Sequence, residues 1–203
     1  MKETFFNLPP DKKNRVIESA LIEFASSGYE KTSLDAVINR AGISKGGLYE
    51  YIDSKKDLFT YILTHAYESL FNYIMDRNPE NGEFPSDPLE RTRSISSIAV
   101  DFYIQSPQII SFIVTSSQVG DMSIRSHVQE VFDSYFLKLY ESCDFTLLKF
   151  ESGKVLTLLK WLLIKTRNVF HEGLLQGGSK SECKERYINE WKFYLSVLKD
   201  GIY

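Results

Sequence analysis

The residues of this chain best able to do chemistry crowd into one stretch, Ser44-Lys45-Gly46-Gly47-Leu48-Tyr49-Glu50-Tyr51, with Lys55 just beyond it. A serine at 44 can cap a helix, and the N–H groups and dipole at such a start favour phosphate, as does the ammonium of Lys45. Tyr49 and Tyr51 offer phenol hydroxyls to phosphate oxygens, and Lys55 opens the next helical run as a further anchor. Gly46 and Gly47 are poor helix formers, each costing about 1 kcal/mol relative to alanine, so their pairing implies close approach of a partner to the backbone. Glu50 is acidic and can accept from cytosine or face solvent. Singly, each feature has a plainer reading: tyrosines pack, lysines are solvated charges and Gly-Gly is a loop. Jointly, their spacing points to a helix that reads DNA.

The residues upstream supply a frame for that helix. Thr32 with Asp35 reads as a capping pair for a short helix ending at Gly42, where glycine takes a left-handed turn cheaply. Leu34, Val37, Ile38, Ala41, Ile43 and Leu48 form a small apolar core between the two helices. Such a unit can lay its second helix in a major groove, N-terminal end toward the bases. The run Ala41-Gly42-Ile43-Ser44-Lys45-Gly46-Gly47-Leu48-Tyr49, with Tyr51, Ser54-Lys55 and Leu58-Phe59 after it and Gly28-Tyr29 and Thr32-Ser33-Leu34 before it, resembles the DNA-binding signature of the tetracycline-repressor (TetR) family. The likeness covers roughly residues 12–60. Ile52 stands where that family usually has phenylalanine, and Ile38 where a small residue is common; both stay apolar.

The resemblance implies a DNA-facing set of Thr32, Ser33, Ser44, Lys45, Gly46, Gly47, Tyr49, Glu50, Tyr51 and Lys55. It further implies a repressor that binds a double-stranded, palindromic operator as a homodimer through its last two long helices. A small-molecule effector bound in the C-terminal part would lower DNA affinity by a population shift, with the long helix after Lys55 as transmitter. Two copies double the base contacts, each worth only about 1–3 kcal/mol of discrimination.

The elements that must position these residues are helical throughout. Pro9, Pro10 and Asp11 open a run in which Val16, Ile17, Ala20, Leu21 and Phe24 share a face, ending near Gly28. Ser54 with Asp57 starts a long helix reaching about Met75. A loop rich in Asn78, Pro79, Asn81, Gly82, Pro85 and Asp87 follows, and Asp87-Pro88-Leu89-Glu90 opens the next helix. Ser106-Pro107 starts another or kinks the current one. Helices are expected at roughly 123–141, 151–175 and 182–199, the last two parted by Gly177-Gly178.

The expected fold is therefore all-α: a three-helix helix-turn-helix domain over residues 1–53 and a helical effector-binding and dimerisation domain over 54–203. Residues 155–164 are apolar almost all round, and Tyr187, Trp191, Tyr194, Leu195 and Leu198 line a face of the last helix. These stripes suit a four-helix dimer interface or an intramolecular core about equally by pattern, and the resemblance favours the former. Among the middle helices, Phe102 and Phe112 with Trp161 and Lys165 are the expected effector-pocket lining.

Composition is permissive. The 203 residues carry a net charge of −3 and 43% hydrophobic side chains, and residues 1–60 hold nine basic and nine acidic groups. Charge alone does not argue for nucleic acid; a local patch suffices. His65, His127 and His171 are far apart, and Cys143 and Cys183 stand alone, so no metal site, cofactor or disulfide framework is expected. No nucleophile elbow or phosphate loop marks an enzyme. Val155–Ile164 is broken by Lys160 and too short for a membrane span, and no signal peptide is expected, so a cytoplasmic home is the simplest reading. The rival reading is a helical small-molecule binder without DNA binding, motivated by Glu50 and Asp53 beside the reading surface.

Overall fold

A computed structural model describes residues 1–77 and 84–202. Ten helices and no strands are present among them: α1 (Glu3–Phe6), α2 (Pro10–Lys31), α3 (Leu34–Ala41), α4 (Lys45–Tyr49), α5 (Lys55–Asp76), α6 (Pro88–Gln105), α7 (Pro107–Ser116), α8 (Met122–Tyr140), α9 (Ser152–Leu175) and α10 (Lys180–Ile202). The all-α expectation holds. Of the loop read around residue 80, Asn78, Pro79, Asn81 and Gly82 lie outside the described residues.

The local signals act where the sequence placed them, with one shift. Ser54 Oγ accepts from the Asp57 N–H at 3.1 Å, and Asp57 accepts from the Asp53 N–H at 3.2 Å, fixing the start of α5. Asp87 accepts from Leu89 and Glu90 N–H, both at 2.9 Å, at the start of α6. Pro107 opens a new helix. The cap of α3, however, is Ser33, whose hydroxyl accepts from Ala36 N–H at 3.1 Å. Thr32 is turned inward instead: its hydroxyl donates to the carbonyls of Gly28 at 2.7 Å and Glu23 at 3.0 Å, closing the end of α2. A buried β-branched hydroxyl finds its acceptor in the preceding turn and leaves capping to its exposed neighbour.

The chain packs as two compact units. The first comprises Met1–Ser69 and Pro107–Asp133, the second Leu70–Ser106 and Ser134–Tyr203, so the division falls inside α5 and α8. In the first unit α2 packs on α7 and α3. Its core is aromatic: Phe59 meets Phe24 at 5.2 Å, Phe112 at 5.4 Å and Tyr29 at 5.0 Å between ring centres, all edge to face. Packing thus groups α7 with α1–α4.

In the second unit α10 packs on α6 and α9. Val155, Leu159, Leu162, Phe170, Tyr187, Trp191 and Leu195 are buried within the chain. Of the last-helix stripe, Tyr187, Trp191 and Leu195 are thus intramolecular core, while Tyr194 and Leu198 are half-buried. Buried Arg91 donates to the carbonyls of Pro85 (2.7 Å), Leu139 (3.1 Å) and Phe84 (3.2 Å) and to Ser142 Oγ (3.0 Å). These acceptors share the cost of burying a guanidinium. No single described helix is long and apolar enough to cross a membrane.

Candidate nucleic-acid interface

The turn between α3 and α4 is set by its backbone. Gly42 sits at φ 64°, ψ 39°, its N–H donates to Asn39 C=O, and the Ile43 N–H donates to Ile38 C=O, each at 3.3 Å. This reciprocal pair with one left-handed residue is the Schellman arrangement, and it aims the chain directly into the next helix. Ser44 then caps α4, accepting from Gly47 N–H at 3.0 Å. The inner side of α4 is anchored by Leu48, with Tyr51 and Ile52 behind it, all buried.

What remains outside is a row of polar and small residues. Ser33, Ser44, Lys45, Gly46, Tyr49 and Glu50 are exposed, and Gly47 is partly so. Tyr49 keeps 43% of its surface free, the highest value among aromatic residues of this head after Phe6. Lys45 reaches Asp35 at 3.2 Å, with both side chains 67% exposed, a contact easily exchanged for another anion. A side-chain carbon added at Gly46 would meet nothing within 4 Å, whereas one at Gly47 would meet the capping Ser44 Oγ at 3.1 Å. Gly47 is therefore explained by the cap, and Gly46 by no contact among the described residues.

Three members of the expected DNA-facing set lie elsewhere. Thr32 is buried, as described. Tyr51 is 4% exposed, its ring 6.1 Å from that of Phe5 and covered by the Lys12 ammonium at 5.6 Å. Lys55 turns back onto the end of α2: its ammonium donates to the carbonyls of Tyr29 (2.8 Å), Thr32 (3.1 Å) and Glu30 (3.3 Å) and lies 4.6 Å above the Tyr29 ring. Those carbonyls have no helical partners, and a cation at a helix C-terminus is the natural answer. All three therefore hold the head together from within.

Sequence reasoning missed the support given by the first residues. Lys2 Nζ donates to Tyr49 C=O at 2.9 Å and pairs with Asp53 at 2.8 Å. The Lys2 N–H donates to Tyr51 C=O at 2.8 Å, and the Thr4 hydroxyl donates to Glu50 C=O. Arg40, also overlooked, bonds Glu23 at 2.6 Å and ties α3 to α2. The Phe5-Phe6 pair ahead of Pro9-Pro10 was the available signal: two aromatics before a helix start need a place to pack.

Residues 16–62 match the family model described as "Bacterial regulatory proteins, tetR family". This segment is similar to a tetR-family domain. Over 70 residues it is 33% identical to the biofilm operon icaADBC HTH-type negative transcriptional regulator IcaR of Staphylococcus aureus, covering 34% of this chain and 38% of that one. Over 122 residues it is 24% identical to the HTH-type transcriptional regulator YhgD of Bacillus subtilis, covering 60% and 61%. The chain thus aligns with less than two thirds of either relative's length. A crystal structure of a TetR family transcriptional regulator from Chloroflexus aurantiacus aligns over 99% of this chain and 97% of its own, with a TM-score of 0.70 at 21% identity, a likeness of fold. The tetR-family match thus includes α3, the Gly42 turn and α4.

Of the four residues expected to line an effector pocket, two are buried and two exposed. Phe112 is fully buried in the aromatic core of the first unit, and Phe102 is buried in the second against Tyr73 at 5.1 Å. Trp161 and Lys165 stand on the exposed side of α9. Apolar periodicity places aromatics on buried faces but does not tell a filled core from a lined cavity. The polar interior of the second unit is elsewhere: Asn168 Oδ1 and His171 Nε2, both on α9, are shut from solvent without a hydrogen-bond partner among the described residues. Desolvation holds the His171 imidazole below its ordinary pKa, and it does the same to His65 on α5.

Proposed function

We propose that this chain is a DNA-binding transcriptional repressor that acts as a homodimer and is released from a palindromic operator by a small-molecule effector. The observation that carries the reading is the outer row of α4: Ser44, Lys45, Gly46, Tyr49 and Glu50 face solvent, while Leu48, Tyr51 and Ile52 lock the same segment from behind. Ser33 at the start of α3 is exposed as well. A helix held this firmly yet bare on one side, with a glycine no internal contact requires, is fitted to enter a major groove. Lys45 and Tyr49 engage phosphate and orient the head, and Glu50 faces base edges or solvent.

Two further parts of the reading rest on the second unit. Exposed Trp161 and Leu175 on α9 and Phe193 and Val197 on α10 offer an apolar outer face for a second copy. The unpartnered atoms of Asn168 and His171 suit an effector that can both donate and accept hydrogen bonds.

The test is a gel shift at moderate salt with a duplex recovered by the wild-type protein from a random-sequence pool. Lys45→Ala combined with Tyr49→Phe should abolish the shifted band while gel filtration shows an unchanged assembly. Unchanged binding would sink the proposal. A chromatin profile without enriched sites would favour the helical small-molecule binder instead, the reading for which Glu50 and the Asp35 partner of Lys45 speak.

A further inference from the structure

We infer that Lys2, Thr4 and Phe5 form a clip that positions the reading helix, so that DNA affinity depends on residues that never touch DNA. The inference rests on the DNA-binding reading for its consequence, but the clip itself is visible in the free chain.

α4 has only five residues, two of them glycine. Helices this short are not stable by themselves, and glycines weaken them further. Its start is fastened by the Ser44 cap. Its end exposes carbonyls with no helical partner, and the N-terminal segment takes three in succession: Lys2 Nζ on Tyr49, the Thr4 hydroxyl on Glu50 and the Lys2 N–H on Tyr51. The Lys2 ammonium also complements the negative end of the α4 dipole and neutralises Asp53, the carboxylate that would otherwise repel phosphate beside the reading surface.

The clip is anchored in turn. Phe5 is fully buried, its ring 5.2 Å from Tyr61 and 6.1 Å from Tyr51. Lys13 on α2 donates to the Phe6 carbonyl at 3.1 Å, closing the end of α1. Segment 2–6 is thereby tied to α2, α4 and α5 at once. Tyr51 gains its function here: its ring seats Phe5 while its carbonyl receives Lys2.

The test is Lys2→Met with Thr4→Val, which keeps side-chain bulk and leaves Phe5 in place. Amide hydrogen exchange without DNA should quicken about tenfold at residues 49–52, the scale of one to two lost side-chain hydrogen bonds, with α9 unchanged. Affinity for the recovered duplex should fall about tenfold, with the slope of log affinity against log salt unaltered. Unaltered exchange at 49–52 would overturn the clip. A salt slope lower in magnitude by about one would overturn the positioning role, because Lys2 would then be a phosphate contact. Recovery of no duplex at all would refute the DNA-binding reading and leave the exchange measurement to decide the clip. Lys2→Arg, which keeps the charge and donor, should restore both readouts.

Discussion

Gly46 gives the sharpest separation between stability and function in the reading head. It lies in the first turn of α4 with helical backbone, exposed, and an added side-chain carbon meets nothing within 4 Å. Alanine there removes the entropy that glycine loses on folding and should stabilise the protein by about 0.5–1 kcal/mol. For a chain of this size that corresponds to a rise in Tm of about 1–4 °C. Gly47→Ala is the internal control. Its new carbon would stand 3.1 Å from the Ser44 hydroxyl that caps the helix, so the propensity gain is set against a cap worth about 1 kcal/mol. The expected result is little net change or a slight loss.

DNA binding should move the other way. If the bare backbone at Gly46 is there to admit the duplex, a methyl group aimed outward should lower affinity in the gel shift by tenfold or more although the protein melts later. A more stable Gly46→Ala protein that binds the recovered duplex as tightly as the wild type would refute the argument from close approach. A destabilised one would refute the open-space geometry on which it depends.

Other consequences can be checked in parallel. Lys55→Met should lower unfolding free energy by about 1–3 kcal/mol, because three carbonyls lose a charged donor, and leave the salt slope of DNA binding unchanged. A reduced slope would mark Lys55 as a phosphate contact after all. Both His65 and His171 titrate below their ordinary 6.5 when folded, so their stabilising contribution is complete above about pH 6.5 and is lost as pH falls through the folded values. Tm should therefore decline on acidification below pH 6.5, and His171→Gln should flatten that decline in melts followed by circular dichroism. Phe193→Glu places a charge on the exposed apolar face of α10 and should shift sedimentation toward the monomer without lowering helix content. An unchanged dimer would move the interface elsewhere.

Much of the architecture was legible because it is written locally. Asp87-Pro88, Ser54 with Asp57, Ser44 and Gly42 each act through neighbours a few positions away, and each occurs in the structure as the sequence implies. What could not be read is whatever depends on which way a side chain turns. Tyr49 and Tyr51 have the same chemistry in the sequence, yet one is outside and the other supports Phe5. Lys45 and Lys55 are likewise indistinguishable by type, but the carbonyls left free at the end of α2 claim the second. The expected effector-pocket residues show the same limit: aromatic spacing marks burial, which Phe102 and Phe112 have, but does not say what they line.

These placements also bear on how a chain with a net charge of −3 can bind DNA. Several head cations serve the fold: Lys2 is paired with Asp53, Arg40 with Glu23, and Lys55 with the end of α2. Lys45 is held only by an exposed contact with Asp35, which a phosphate can displace at small cost, since such surface pairs are worth about 0–1 kcal/mol. Arg15, Lys31 and Lys56 are exposed cations of the same head, and hydroxyls, backbone N–H groups and the ends of short helices add attraction that positions the head without releasing counterions. Salt dependence follows the number of phosphates neutralised by cations, about 0.9 in slope for each. On the proposed DNA-binding reading the slope counts Lys45 together with whichever of Arg15, Lys31 and Lys56 reach phosphate, and Lys45→Ala alone should lower it by about one.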